Sequence, residues 1–184
     1  MVVRQKLYTV EEFEQFIAQA ENADRLFELV EGEIVEKVPT EQHGVIVVNI
    51  STELKLYIRQ TGKGRVAVEV RHQLPGDEHN SRLPDIAYYA DSSRPVVEQG
   101  AVAQMPDLCV EVQSPDDTPK AMRDKAAYYL ANGARLVWLV YPKKRLVEAL
   151  YPDGEFDIFS NGATVSGGEL LPGFGLAVHA VFEE

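Results

Sequence analysis

Leu108-Cys109-Val110-Glu111-Val112 and Leu136-Val137-Trp138-Leu139-Val140-Tyr141 decide how this chain folds. Each is a short, near-continuous apolar run, the pattern of a strand buried on both faces. Between them, Ser114-Pro115-Asp116-Asp117-Thr118-Pro119 turns the chain into a helix, with Asp117 or Thr118 as cap and Pro119 at its first position. The helix runs to about Ala131 and closes at Asn132-Gly133, and Pro142 stops the second strand.

Working outward from this unit, Thr9 and Glu12 form a capping-box pattern. It opens an amphipathic helix over about 9–21 that turns Phe13, Phe16, Ile17 and Ala20 inward. Residues 27–38 alternate apolar and charged on both sides of Glu31-Gly32, which predicts a hairpin. Val47, Ile50, Leu54, Tyr57 and Ile58 recur at helical spacing between His43 and Gln60, and Thr61-Gly62 stops that helix. Strands follow over 64–70 and 83–89, the second with Asp85 near its start. Asp77, His72 and His79 have no compact metal-ligand spacing and read as loop or surface residues. Residues 91–104 read as an exposed, mobile connection. Downstream, 145–151 and 155–159 form a hairpin, and a glycine-rich close leads to a last short strand at 176–178. The order predicts a single α/β domain over 1–184, with a mixed central β-sheet, flanking helices and additional β-hairpins.

With 18 Lys and Arg against 29 Asp and Glu, the net charge of −11 excludes a broadly basic surface of the kind that binds nucleic acid through its phosphates. A nucleic-acid partner then requires a local basic groove or a bound cation. The single cysteine, Cys109, allows no internal disulfide, so a reducing cytoplasm is the expected compartment. The first residues lack the apolar core of a signal peptide, and no run approaches the roughly 18 apolar residues of a membrane span.

Glu111 carries the chemistry. An ionised carboxylate within the most apolar strand must meet a cation, a donor or the sheet's open end, because burying it unpaired costs several kcal/mol. Asp85 poses a milder form of the same problem. If their strands are neighbours, the two carboxylates can converge on a hard divalent cation such as Mg2+. Lys125, at the margin of the inward stripe Ala121, Met122, Ala126, Tyr129 and Leu130, is placed either to reach solvent or to point its ammonium at those carboxylates.

Pro84-Asp85, Glu111 with Ser114-Pro115, Lys125 with Tyr129, Gly133, and Trp138-Leu139-Val140-Tyr141-Pro142 together resemble the Uma-type restriction endonucleases of the PD-(D/E)XK superfamily. Phe27-Glu28-Leu29-Val30-Glu31-Gly32-Glu33, Pro39 and His43 extend the resemblance over roughly residues 8–180. It implies a restriction-endonuclease-like fold and a Mg2+- or Mn2+-dependent endonuclease that hydrolyses phosphodiester bonds in DNA. Asp85, Glu111 and the Val112 carbonyl would hold the metal. The superfamily pattern puts a lysine two residues after the second acid, where this chain has Gln113, which would position a water or a phosphate oxygen. Lys125 takes that lysine's place on the next helix and would orient the attacking water and stabilise the developing negative charge. Glu28 and His43 would line the same pocket. The acidic balance keeps a second reading open, a catalytically silent, homo-oligomeric binding or regulatory protein that retains the fold. A homodimer or higher homo-oligomer is expected on either reading.

Overall fold

The computed structural model describes residues 6–184, and their contacts separate into two compact units. The smaller comprises the described part of Met1–Val38 with Arg71–Leu83 and Val97–Gln104. Its helix α1 (Val10–Ile17) starts where Thr9 and Glu12 close the expected capping box. The helix ends at Ile17, short of the expected Glu21, because Asn22 reaches back and donates from Nδ2 to the Phe16 carbonyl at 2.9 Å. Ala20 lies beyond that end and is exposed. Strands β1 (Leu26–Val30) and β2 (Glu33–Lys37) form the expected hairpin. Glu31 and Gly32 both have positive φ, 50° and 84°, the two-residue turn that matches the twist of the strands. Phe13, Phe27 and Leu29 make the core of this unit.

His72 corrects the expectation of a surface role. It is fully buried, and its Nδ1 lies 2.7 Å from the Gln104 carbonyl oxygen. Its backbone pairs with Arg82, and the neighbouring Arg71 and Gln73 pair with Val102. The 91–104 connection is therefore exposed over 91–100 but anchored at its end by the buried Val102.

The larger unit comprises Pro39–Val70, Pro84–Val96 and Met105–Glu184. Thr40 caps helix α2 (Glu41–Thr61), and Gly62 ends it in the left-handed region. Strand β3 (Arg65–Val68) stops before the expected Val70, because Glu69 takes a φ of 53° that no strand residue holds. Next come β4 (Ile86–Tyr89), β5 (Leu108–Val112), α3 (Pro119–Ala131) and β6 (Leu136–Tyr141). A single 3-10 turn at Pro142–Lys144 leads to β7 (Leu146–Leu150) and β8 (Phe156–Phe159). These strands form one sheet in the order β3-β4-β5-β6-β7-β8. Only β5 and β6, joined through α3, run parallel, and every other neighbouring pair is antiparallel. The sheet is mixed, as expected.

The glycine-rich close departs from its reading. Residues Thr164–Gly167 and Leu171–Ala177 form a second hairpin, β9 and β10, and Val178–Val181 is a short helix, α4. Gly173 and Gly175 lie inside β10, which bulges between Leu171 and Gly175. Gly167 admits no side chain, since an added Cβ would stand 2.3 Å from Leu171 Cβ.

Period-two alternation sorts the central strands by face. Leu108, Val110, Val112, Leu136, Trp138 and Val140 join Ile46, Ile50 and Leu54 of α2, with Phe174, Leu176, Val178 and Val181, in the main core. Glu111, on the alternate parity, turns to α3, whose Met122, Ala126 and Tyr129 are buried. Ala121, expected on that inward stripe, is exposed. Among the described residues, no helix is long and apolar enough to cross a membrane.

Candidate active site

Strand β4 meets β5 in antiparallel register, Ile86 opposite Val110, so one step further along the register sets Asp85 opposite Glu111. Directly opposed residues project from the same face with Cβ atoms about 5 Å apart. The pairing of their strands thus sets the two acids on adjacent strands at the same level. Both are withdrawn from water, Asp85 at 3% and Glu111 at 2% exposure.

Each carboxylate is met by donors, as the cost of burying it requires. Asp85 Oδ2 accepts from the Val112 backbone N–H at 2.7 Å. His43 Nε2 lies 3.1 Å from the same oxygen. An ionised carboxylate only accepts, so this His43 nitrogen carries the proton. Thr40 fixes His43 in the first turn of α2 by accepting its backbone N–H. Glu111 is engaged at both oxygens. The Tyr129 hydroxyl donates to Oε1 at 2.6 Å, and Lys125 Nζ stands 3.4 Å from Oε2. Lys125 and Tyr129 are four residues apart on α3 and therefore share one face of it. Of the two placements open to Lys125, the buried one holds, with 15% of its side chain exposed.

Gln113 behaves differently. Its backbone N–H extends the ladder to the Val140 carbonyl, while its side chain donates from Nε2 to the Asp117 carbonyl at 2.9 Å. It thereby braces the turn into α3, and with His43 it lines a cavity of about 120 Å3. Val112 gives its N–H to Asp85. Glu28 lies on β1 in the smaller unit, fully buried. Tyr129 is the group that sequence reasoning placed on an inward stripe without giving it a carboxylate to hold. The available signal was its i,i+4 spacing from Lys125.

Two neighbours complete the α3 face. Burial, reinforced by the negative charges of Glu111 and Asp107, pushes the Cys109 thiol well above its usual range. Farther along, Glu148 accepts from Arg123 Nη2 at 2.9 Å and from the Tyr141 hydroxyl at 3.2 Å. Burial, then the Glu148 charge, pushes Tyr141 up to about 12.

Among the described residues, no three His, Cys, Asp or Glu side chains converge as a ready-made metal cluster. Two opposed carboxylates do suit Mg2+, which accepts one or two such ligands and keeps several waters.

The sequence profile of the Uma2 family, described as "Putative restriction endonuclease", matches residues 10–179. The chain belongs to the Uma2 family. A crystal structure described as that of a "putative nuclease belonging to DUF820" from Anabaena variabilis superposes with a TM-score of 0.79 at 25% identity. The match covers 95% of this chain and 97% of that one. No functionally curated protein matches the chain. The Uma2 chain therefore has a restriction-endonuclease-like fold, with its six-stranded mixed sheet as the frame.

Proposed function

We propose that this Uma2 protein is a divalent-metal-dependent endonuclease that hydrolyses phosphodiester bonds in DNA. The observation that carries the reading is the register opposing Asp85 to Glu111, with Lys125 held beside Glu111. Asp85 and Glu111, with the Val112 carbonyl, would hold Mg2+ or Mn2+. When bound, such an ion polarises a phosphoryl oxygen and makes a bound water more acidic.

The chain's own groups do the rest. Lys125 places a positive charge where negative charge develops on the phosphoryl oxygens, inside a site already withdrawn from water. Tyr129 fixes the rotamer of Glu111, and His43 fixes that of Asp85, so neither carboxylate has to reorganise when the substrate arrives. Gln113 holds the turn from which α3, and with it Lys125, departs. The net charge of −11 supports a second reading, a catalytically silent, homo-oligomeric member that keeps the fold.

Nicking of supercoiled plasmid in the presence of Mn2+ decides between them. The wild type should nick, and Asp85→Ala and Lys125→Ala should each lose about 100-fold or more, as for loss of a group that stabilises transition-state charge. Equal nicking by all three would remove the catalytic assignment. Calorimetric titration with Mg2+ adds an independent readout, since heat that Asp85→Ala leaves unchanged would place the ion elsewhere.

A further inference from the structure

The cavity lined by His43 and Gln113 reaches the candidate site through His43, whose Nε2 lies 3.1 Å from Asp85 Oδ2. Across Gln42 and Pro142, which line both, it adjoins a larger cavity of about 370 Å3. The two form one groove along the first turn of α2 and the 3-10 turn after β6. That turn carries Lys143-Lys144-Arg145, three consecutive cations in a chain whose net charge is −11.

Their placement is not that of three loose surface side chains. Lys143 lines the inner cavity beside His43 and Gln113. Lys144 is drawn aside, its Nζ 5.4 Å from the centre of the Tyr141 ring. Arg145 lines the outer cavity with its guanidinium 5.3 Å from the centre of the Phe182 ring. Its backbone takes the left-handed conformation (φ 48°, ψ 51°), uncommon for a residue with a side chain. The Phe182 ring restricts the rotamers of Arg145 and leaves the edge of the guanidinium free to donate. The positive end of the α2 dipole faces the same groove. Carboxylates stand at its outer end, where Glu41, Glu183 and Glu184 also line the wall. The single carboxylate of the inner cavity, Asp117, is occupied in accepting the Ser114 N–H.

We infer that this groove is the track for the DNA strand that flanks the reacting phosphate, with Lys143 and Arg145 contacting successive phosphates of its backbone. It is the local basic path that an acidic nuclease needs, and it rests on the nuclease reading above. Specificity for base sequence is not carried by such contacts, which position the strand.

The test is binding of a short fluorescein-labelled DNA duplex, followed by anisotropy in Ca2+ over a series of salt concentrations. Lys143→Ala and Arg145→Gln should each weaken binding about 8-fold near 0.1 M salt and lower the salt slope by about one, the counterion-release term for one phosphate. Glu41→Gln should tighten binding. Lys63→Ala, at the opposite end of α2, should bind as the wild type does. The track is overturned if Lys143→Ala and Arg145→Gln bind with wild-type affinity and slope, if Lys63→Ala weakens binding as much as they do, or if the wild type shows no binding. The nuclease reading is judged separately by metal-dependent hydrolysis of bis(4-nitrophenyl) phosphate, a diester too small to use the groove. Turnover of that substrate without an effect of Lys143 or Arg145 on DNA binding leaves the reading standing and removes the track.

Discussion

Glu111 is held from two sides, by a neutral hydroxyl and by an ammonium, and the two supports should fail differently. Tyr129→Phe deletes a hydrogen bond to a charged group with little change of shape. It should lower stability by about 1.5–3 kcal/mol, read from the urea midpoint. Lys125→Met removes the cation from a carboxylate that is 2% exposed. It should cost about 3–5 kcal/mol, the penalty for leaving a buried charge unpaired. Adding Glu111→Gln to Lys125→Met should then recover most of that loss, because the stranded charge is gone. A double mutant no more stable than Lys125→Met alone would show that the ammonium does not compensate Glu111. Cys109, two residues away on the same face, gives a chemical check on this environment. The thiol is pushed upward by burial first and by Glu111 and Asp107 after it, so the reactive thiolate is suppressed at neutral pH. Ellman's reagent should leave the folded protein unmodified and react once denaturant is added.

At the scale of elements, Gly64 is the residue whose freedom the sheet uses most directly. It holds φ at 88°, and an added Cβ would stand 2.3 Å from the Tyr88 hydroxyl oxygen. Gly64→Ala therefore combines a left-handed backbone with a collision inside the β3–β4 pair. It should lower stability by about 2–4 kcal/mol in thermal or chemical unfolding. Elements whose signals are local could be read from the sequence. Thr118 and Pro119 start α3, Glu31-Gly32 makes the hairpin turn, and the two apolar runs are the buried strands. So could the need of Asp85 and Glu111 for partners, because a charge set in an apolar pattern has to be met by one. The rest was decided by groups distant in sequence. Asn22 truncates α1 from outside it, and Val102 and Gln104 bury a histidine that had no local reason to be inside. A bulge keeps β10 a strand through glycines that read as a loop. Gln113 spends its side chain on a carbonyl of the following turn, which no residue-type pattern announces.

For the molecule as a whole, the excess of 29 acids over 18 bases repels itself at neutral pH. Raising salt from about 0.01 to 0.15 M shortens the screening length from about 30 to 8 Å, so the melting temperature should rise over that range. The same salt should weaken DNA binding, and opposite responses of stability and affinity would separate global repulsion from the local basic path. Alkaline pH acts on the tyrosines that folding withdraws from water, Tyr141 among them. The folded protein keeps Tyr141 neutral up to about 12 against an ordinary value of 10.0. Its contribution is fully present below about pH 10 and is lost as the pH climbs toward 12. Tyr141→Phe should remove its share of that fall and leave the shares of Tyr89 and Tyr151, which burial also pushes up to about 12. The parity of β5 bears, finally, on which changes of length the chain can accept. Alternate residues of this strand serve opposite faces, so a single inserted or deleted residue within 108–112 would turn Glu111 toward the apolar core and a valine toward Lys125. Across related sequences, gaps should collect in the exposed 91–100 stretch and be absent from β5, a pattern of indels set by the pleat and independent of which residues catalyse.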